Sequence, residues 1–497
     1  MSDLDTVDLL IIGGGVNGAG IARDAAGRGL KVLICEKDDF AQGTSSRSGK
    51  LVHGGLRYLE YYEFRLVREA LIEREVLLAA APHIIWPMRF VLPHSPEQRP
   101  TWLIQIGLFL YDHLGGRKKL PASHRIDLRR APEGKAIKDN YLTAFEYSDC
   151  WVDDARLVLL NVLDAHLRGA QVQVRTEVVS ARRDGEIWVA ALKDQNGEQH
   201  RVRARALVNA AGPWVENVIG DIAGQNSQRR VRLVKGSHLI VKKFWDGPQA
   251  YILQNDDNRI IFVNPYQDDL CLIGTTDIPY NGRPEDVAID QVETDYLLRV
   301  INRYFKAQLS RADIVSQYSG VRPLYDDNAG NPSAVTRDYV FDLDQTSDGA
   351  PMLSVFGGKI TTYRKLAEHA IEKLIPFFPK AGKAWTSSAC LPGGDIANAD
   401  FDQFVTALRQ KFLFLSPSLS LHYARLYGTR AGLVIGQAKS LADLGRHFGG
   451  DLYGAEIDYL KSHEWAMTAD DILDRRTKHG LHLTQEQRRA VDNYLGR

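Results

Sequence analysis

The sequence predicts an α/β fold with an α-helical domain appended at its C-terminal end. Two strand–glycine turn–helix units, one at the start of the chain and one at residues 352–375, predict a parallel α/β architecture. The segment between them is rich in β-branched residues grouped as short strands, which predicts an inserted, antiparallel sheet. Beyond residue 385 apolar residues recur at helical spacing, which predicts a small helical domain.

The opening unit has the pattern of a Rossmann-like, dinucleotide-binding fold. Val7–Ile12 is a continuous apolar run, as expected of a strand buried on both faces. Gly13, Gly15 and Gly18 follow at G-x-G-x-x-G spacing, which permits a tight turn, approach of a pyrophosphate and close packing of the next helix. Glu36 closes the second strand, where an acid accepts a ribose hydroxyl. This unit alone leaves FAD and NAD both open.

The second glycine turn favours FAD. Met352–Phe356 is a short apolar strand, and Gly357, Gly358 and Lys359 separate it from a predicted helix over 360–375. A helix N-terminus and a lysine at the far end of a long cofactor would stabilise the negative charge of a reduced flavin. The sequence therefore predicts a cofactor that both glycine turns hold.

Two further stretches of small and polar residues complete the predicted cofactor site. Residues 43–57 follow the second strand, and a turn at 209–213 follows another strand. The predicted cofactor-binding residues are Gly13, Gly15, Asn17, Gly18, Glu36, Ser45, Ser46, Lys50, Leu51, Gly212, Gly358, Lys359 and Thr362.

The predicted domains are discontinuous along the chain. The cofactor domain comprises residues 1–85, 150–230 and 345–380, the inserted substrate domain comprises 86–149 and 231–344, and the helical domain comprises 385–497.

Composition excludes some classes of function. Lys+Arg and Asp+Glu are equal at 62 each, so no bulk charge favours nucleic acid. The four cysteines are far apart, which predicts a reducing compartment, without disulfides and without a zinc site. No metal ligands are predicted. The acidic start of the chain argues against a secretory signal.

One apolar segment is consistent with two kinds of helix. Trp102–Tyr111 is strongly apolar, and Arg117, Lys118 and Lys119 follow it. A helix in the membrane interface with a basic flank has this pattern, and so does a helix of the protein core.

Longer motifs resemble one family over nearly the whole chain. They are GGGVNGAGIARDAAGRGL, SGKLVHGGLRYLEYYEFRLVREAL, EYSDCWVDDARLVL, KGSHLIV, GTTD, YSGVRPL, TRDY, LSVFGGKITTYRKLAEHA, LPGG and HEWAMTADDILDRRTK. The chain resembles the FAD-dependent respiratory sn-glycerol-3-phosphate dehydrogenases, and the bacterial aerobic type most. The resemblance implies a D-amino-acid-oxidase-like architecture with an FAD domain, an antiparallel substrate domain and a helical cap.

The same resemblance implies a reaction and partners. The expected reaction is oxidation of glycerol 3-phosphate to dihydroxyacetone phosphate, with electrons passed through FAD to ubiquinone or menaquinone. The expected protein is a peripheral homodimer on the cytoplasmic face of the cell membrane. Three alternatives stay open: a glycerol-3-phosphate oxidase that uses oxygen, an amine or amino-acid oxidase of the same fold, and a non-catalytic flavoprotein.

A phosphate ester calls for arginine, because its forked donors match phosphate oxygens. Arg57, Arg322 and Arg337 each lie in a motif of the family (GGLRY, SGVRP and TRDY), although each taken alone is as consistent with a structural ion pair. Arg322 and Arg337 are the favoured pair. Tyr58, Thr275 and Thr276 are further candidates for substrate binding.

Alcohol oxidation also needs a base for the hydroxyl proton. His238 and His53 are the candidates, with His238 ranked first, because imidazole titrates near neutral pH. Lys359 and Arg322 complete the predicted catalytic set by stabilising negative charge.

Overall fold

The computed structural model describes residues 6–95, 98–227, 229–257, 259–326, 338–345 and 349–496. The strands are β1 Thr6–Ile12, β2 Val32–Cys35, β3 Leu51–Val52, β4 Ile85–His94, β5 His124–Asp127, β6 Thr143–Val152, β7 Gln171–Gln173, β8 Thr176–Asp184, β9 Ile187–Asp194, β10 Gln199–Asn209, β11 Val231–Lys242, β12 Ala250–Gln254, β13 Ile260–Tyr266, β14 Leu270–Gly274, β15 Ile278–Pro279, β16 Ile314–Tyr325, β17 Val340–Asp344, β18 Met352–Phe356, β19 His447–Gly449 and β20 Leu452–Tyr453. The α-helices are α1 Val16–Gly27, α2 Phe64–Ala80, α3 Thr101–Leu114, α4 Asp154–Leu167, α5 Val215–Asn217, α6 Gln291–Tyr304, α7 Tyr363–Leu374, α8 Phe401–Lys411, α9 Pro417–Tyr427, α10 Ala431–Ile435, α11 Gly454–His463 and α12 Gln485–Leu495.

The first sheet contains both glycine-turn units. Its strands lie in the order β17-β18-β10-β1-β2-β7, and the β8–β9 hairpin pairs with β10 through β9. Strands β18, β10, β1, β2 and β7 run parallel, whereas β17 is antiparallel to β18. Because parallel strands share one carboxyl edge, the turns that follow β1, β10 and β18 meet there.

Small side chains let helices pack closely on this sheet. Helices α1, α4 and α7 share one apolar core with the sheet, in which Ala22, Ala25 and Leu353 have no exposed surface. Gly20 of α1 lies so close to α7 that a Cβ atom there would stand 2.8 Å from the ring of Tyr363. The second unit therefore packs directly on the first.

The second sheet is larger and mixed. Its strands lie in the order β15-β11-β14-β13-β12-β4-β6-β3, with β16 paired to β11 and β5 paired to β6. Nearly all neighbours are antiparallel, as the sequence predicts, but β12 and β4 run parallel. Strand β17, which the predicted boundaries place in the inserted domain, belongs instead to the first sheet.

The C-terminal part is helical and packs around its own apolar core. Helices α8 to α12 surround residues such as Tyr423, Leu460 and Ile472, which are fully buried. Buried ion pairs join this part to the first sheet and its helices: Arg156 of α4 donates to Glu464 Oε1 (2.9 Å), and Arg476 donates to Asp39 Oδ1 (2.7 Å).

Candidate active site

The first glycine turn requires its glycines. Gly13 has φ +111°, and a Cβ atom there would stand 2.6 Å from Ala210 O in the turn after β10. A Cβ atom on Gly18 would stand 2.0 Å from Gly13 O, so only glycine lets α1 pack this closely on β1. Both positions have the roles that the fingerprint predicts.

A side chain of α1 joins the two glycine turns. Asn17 Nδ2 donates to Gly357 O (3.1 Å), at the end of β18. Gly358 has φ +102°, and a Cβ atom there would stand 2.9 Å from the same Nδ2 atom. The Oδ1 atom of Asn17 is buried and has no hydrogen-bond partner within the described ranges, so it is available to a donor of a bound group.

Glu36 lies at the end of β2, as predicted for an acid that binds ribose. Its Oε2 atom accepts from the Gly14 N–H (2.6 Å) and its Oε1 atom accepts from the Asp38 N–H (2.9 Å). Desolvation raises the pKa of this carboxyl, and the two backbone hydrogen bonds oppose that rise.

A cavity of about 620 Å³ runs along this edge of the first sheet. Its lining includes Gly13, Glu36, Ser45, Gly212, Trp214 and Gly358. Ser45 Oγ accepts from the Val16 N–H (3.0 Å) at the start of α1, and Thr44 Oγ1 donates to Val321 O (2.6 Å), which holds the loop against β16. The acid, the helix N-terminus, the orphaned Asn17 atom and the glycine turns fit a dinucleotide laid along this edge.

Three of the predicted cofactor-binding side chains, those of Lys50, Leu51 and Thr362, are buried within the protein. Lys50 Nζ pairs with Asp154 (2.8 Å) and donates to Ser46 O (3.2 Å), so its charge lies in a buried ion pair under the loop. The side chain of Leu51 packs in the core of the second sheet. Thr362 is buried at the start of α7, where its hydroxyl makes no capping bond. Ser46 accepts the hydrogen bond from Lys50 through its backbone carbonyl oxygen.

Arg322 lies beside the cavity on β16. Its Nη1 atom donates to Asp277 Oδ1 (2.8 Å), and its Nη2 atom donates to Thr275 Oγ1 (3.3 Å). About 28% of its side chain is exposed, which leaves room for an incoming anion. Arg322 and Thr275 are therefore together, as the sequence predicts. Arg337 lies outside the described residues.

Thr276 is buried in the packed side of the second sheet. Its hydroxyl accepts from the Ser237 N–H (2.9 Å) and donates to Glu293 Oε1 (2.7 Å) of α6. Both hydrogen-bonding capacities are used within the protein, so the structure assigns this threonine to packing of β14 and α6 rather than to a ligand.

His238 lies deep in the second sheet. Its ring stacks on Tyr318 of β16 at 4.8 Å, and neither ring nitrogen has a hydrogen-bond partner among the described residues. Burial, together with the charges of Arg322 and Lys50, lowers the pKa of this imidazole well below its usual value near 6.5. A neutral imidazole with a free nitrogen beside Arg322 suits a proton acceptor.

The other predicted side chains lie at the opposite end of the loop. The His53 N–H donates to Thr361 Oγ1 (3.2 Å), which ties β3 to the second glycine turn. Lys359 Nζ lies 4.1 Å from the centroid of the Tyr58 ring. Arg57 donates to Tyr61 OH (3.2 Å) at the surface. The structure thus places His53 beside Thr361, pairs Lys359 with the Tyr58 ring and places Arg57 beside Tyr61.

Sequence reasoning missed residues that hold the loop from the second sheet. Tyr318 OH donates to Ser48 O (2.7 Å), and Asn264 Nδ2 donates to Gly49 O (3.3 Å). A Cβ atom on Gly49 would stand 3.7 Å from His238 Nε2. The pairing of β11 with β16 puts His238 opposite Tyr318. His238 lies in the motif KGSH and Tyr318 in YSGVRP, but only the pairing of the two strands shows that Tyr318 contacts His238.

The cavity along the parallel sheet fits a dinucleotide, and a neutral imidazole and an arginine of the second sheet lie beside it. This combination is that of a dinucleotide-dependent oxidoreductase. The family model of FAD dependent oxidoreductases matches residues 8–364, and that of the C-terminal domain of alpha-glycerophosphate oxidase matches residues 384–495. The chain belongs to this family of FAD-dependent oxidoreductases, so its cofactor is FAD.

Relatives match over the full chain. A D-erythritol 1-phosphate dehydrogenase of Brucella abortus is 63% identical over 99% of this chain and 98% of its own. The aerobic glycerol-3-phosphate dehydrogenase of Escherichia coli is 53% identical, with the same coverage. The crystal structure of the glycerol-3-phosphate dehydrogenase from Bacillus halodurans with FAD has a TM-score of 0.77 at 26% identity, and the match covers 99% of this chain and 94% of that one. The predicted fold class and family are confirmed.

Proposed function

We propose that this enzyme oxidises the secondary hydroxyl of sn-glycerol 3-phosphate to give dihydroxyacetone phosphate. The observation that carries the proposal is the placement of Arg322, Thr275 and His238 together beside the cofactor cavity, in a chain whose full-length relatives include glycerol-3-phosphate dehydrogenases. FAD, when bound, supplies the acceptor for the hydride.

Each residue of the proposed site has a distinct task. Arg322 binds the phosphate with its guanidinium, which Asp277 and Thr275 orient. His238 accepts the hydroxyl proton while the carbon gives up its hydride, so the alcohol loses both hydrogens and becomes a ketone. Lys359 places a positive charge near the second glycine turn, where negative charge develops.

Anaerobic mixing with sn-glycerol 3-phosphate tests the reaction. We expect the absorbance of the oxidised flavin to bleach in a single turnover and dihydroxyacetone phosphate to appear in equal amount. Glycerol, which lacks the phosphate, is the matched control and should bleach the flavin far more slowly. A flavin that stays oxidised with saturating glycerol 3-phosphate would refute the proposal.

A second candidate substrate is D-erythritol 1-phosphate. The dehydrogenase named for it is 63% identical to this chain, against 53% and 54% for two glycerol-3-phosphate dehydrogenases. Both substrates are polyol phosphates with a secondary hydroxyl, so the same arginine and base serve either one. The ratio of kcat/KM for the two phosphates decides between them, because each reaction is followed by the same flavin bleaching.

The proposed electron acceptor is a membrane quinone, and oxygen is the alternative. The match of the C-terminal domain to that of an oxidase keeps the alternative open. Turnover with a soluble quinone analogue under nitrogen supports the dehydrogenase. Stoichiometric hydrogen peroxide in air, without faster turnover on quinone addition, supports the oxidase.

Helix α3 is the proposed contact with the membrane. Leu108 and Tyr111 face the core, whereas Trp102 and Phe109 are about 60% and 61% exposed on the other side. Tyr62, which is also exposed, lies just before α2, and Lys118 and Lys119 follow α3. Exposed aromatic residues with a basic flank suit binding in the interface of an anionic bilayer. No helix in the described ranges is both long and apolar enough to span a bilayer.

Sedimentation with anionic vesicles tests this contact. We expect the protein to pellet with vesicles at low salt and less at high salt, because the basic flank is screened. A Trp102→Ser, Phe109→Ser double variant should remain in the supernatant. The control is Leu413→Ser, which removes an apolar side chain that is 85% exposed in the helical domain. Equal pelleting of both variants would contradict the proposal.

We also propose that the protein lies on the cytoplasmic face of the cell membrane and forms a homodimer. Light scattering after size-exclusion chromatography tests the dimer, which a single-chain mass would contradict.

A further inference from the structure

Three side chains of the helical domain, none of them assigned to the proposed active site, converge on one another. His422 belongs to α9, Glu456 to the first turn of α11, and His479 follows the helical turn Asp471–Arg476. One donor atom from each of the three lies within 4.8 Å of the others. Cysteine spacing, which predicts no zinc site, gives no information about histidine ligands.

The contacts within this cluster position its donor atoms for binding a cation. His422 Nε2 lies 2.8 Å from Glu456 Oε1, and the carboxylate has no exposed surface. Tyr427 OH donates to the same oxygen (2.7 Å) and fixes the orientation of the carboxylate. A hydroxyl that orients a carboxylate is a common support for a metal ligand.

The third side chain has an unused nitrogen. His479 Nε2 is buried and finds no hydrogen-bond partner among the residues that the structure describes. Its ring lies 4.6 Å from the ring of His422, and one of its nitrogens lies within 4.8 Å of a donor atom of His422 and of Glu456. A buried polar atom without a partner costs free energy, which a bound cation would recover.

We propose that His422, Glu456 and His479 form a binding site for one Zn²⁺ ion or a similar borderline divalent cation. Two imidazoles and one carboxylate are a donor set typical of zinc, with water as the fourth ligand. Ligand atoms of a tetrahedral zinc site lie about 3.3 Å apart, so the three donor atoms, which lie within 4.8 Å of one another, move closer together on binding.

The site would tie the helical domain to the cofactor domain. Lys478, adjacent to His479, donates to Asp153 Oδ1 at the start of α4. A cation that fixes His479 therefore fixes a contact between the two domains. The expected role is structural, since the ion stabilises the folded protein in which the three donors are together.

Titration of the untagged, FAD-loaded enzyme with Zn²⁺ after removal of metal by a chelator tests the site. We expect one Zn²⁺ per chain at micromolar concentration, a rise in Tm, and with Co²⁺ the visible absorption of a tetrahedral ion. His479→Ala should weaken Zn²⁺ binding by at least about tenfold and abolish the rise in Tm. The control is His482→Ala, which removes a neighbouring histidine that pairs with Asp269 at the surface.

Two outcomes would overturn the proposal. The first is wild-type enzyme that binds no Zn²⁺ at micromolar concentration, and the second is His479→Ala enzyme that binds it as tightly as wild type. If His479→Ala does not fold, Glu456→Gln and His479→Gln replace it, with FAD content as the check on folding. In either contrary case the three side chains form only an ion-paired cluster.

Discussion

The side chain of Asn17, in the first turn of α1, donates a hydrogen bond to the carbonyl oxygen of Gly357, 340 residues later in the chain. The bond joins the glycine turns of the two strand–turn–helix units at one edge of the first sheet. It therefore holds together the two ends of the FAD-binding edge.

Asn17→Ala is expected to weaken FAD binding. The substitution removes the bond to Gly357 and the buried Oδ1 atom. A loss of about 1 to 1.5 kcal/mol corresponds to roughly a tenfold rise in the Kd for FAD. Flavin fluorescence titration measures it, with Asn196→Ala in an exposed turn as the control. An unchanged Kd would show that the two turns hold FAD independently.

Gly13→Ala is expected to destabilise the protein and to prevent FAD binding. The new Cβ atom would stand 2.6 Å from Ala210 O, in addition to the strain of φ +111°. Gly29→Ala is the matched control, because Gly29 has φ +84° and open space around its Cβ position. We expect a cost of about 1 kcal/mol for Gly29→Ala and about 3 kcal/mol or more for Gly13→Ala, measured by urea unfolding. Equal costs would mean that the close approach is not what requires Gly13.

Arg322→Ala is expected to raise the KM for glycerol 3-phosphate by about 10- to 100-fold, because hydrogen bonds to a charged group contribute about 1.5 to 3 kcal/mol. FAD content should stay normal, since the Arg322 side chain hydrogen-bonds to Asp277 and Thr275 and lies beside the cofactor cavity rather than in its lining. The control is Arg311→Ala, which removes a surface arginine paired with Asp295. An unchanged KM would assign Arg322 to structure alone.

The rate of flavin reduction is expected to stay level as pH falls to 6.5. Burial and the neighbouring charges lower the pKa of His238, so the imidazole remains neutral and able to accept a proton below the pH at which an exposed histidine is protonated. His238→Gln should slow reduction by about 100-fold or more at all pH values. Stopped-flow reduction measures both, and a larger loss in His53→Gln would make His53 the base instead.

Asp471→Asn is expected to lower stability at neutral pH but not in acid. Burial alone would raise the pKa of Asp471, but the Met467 N–H and the charge of Arg476 contribute to lowering it to about 2. The folded pKa is below the unfolded value near 3.8, so this stabilisation is present above about pH 4 and is lost as pH falls toward 2.

The measurement is urea unfolding of wild type and Asp471→Asn at several pH values. The expected difference is about 2 kcal/mol at pH 7, shrinking in acid. Asp139→Asn, at a residue that is 91% exposed, serves as control. A difference that does not depend on pH would mean that the charge of Asp471 is not the source of the stabilisation.

The sequence by itself determined the two glycine turns, the position of Glu36 at the end of β2 and the identity of the cofactor. These features depend on local requirements: a positive φ angle, the absence of a Cβ atom, and apolar runs with a fixed period. It also indicated Arg322 and Thr275 as candidates for one site, and the fold brings them together because β14 and β16 both pair with β11.

The tertiary structure alone decided which polar side chains form ion pairs or hydrogen bonds within the protein. Lys50 pairs with Asp154, and Thr276 bonds to Glu293, so both side chains are engaged within the protein. The convergence of His422 with His479 is likewise invisible in the sequence. The physical reason is the same each time: a charged or polar group is satisfied by whichever partner the fold brings within about 3 Å, and that partner is often far away along the chain.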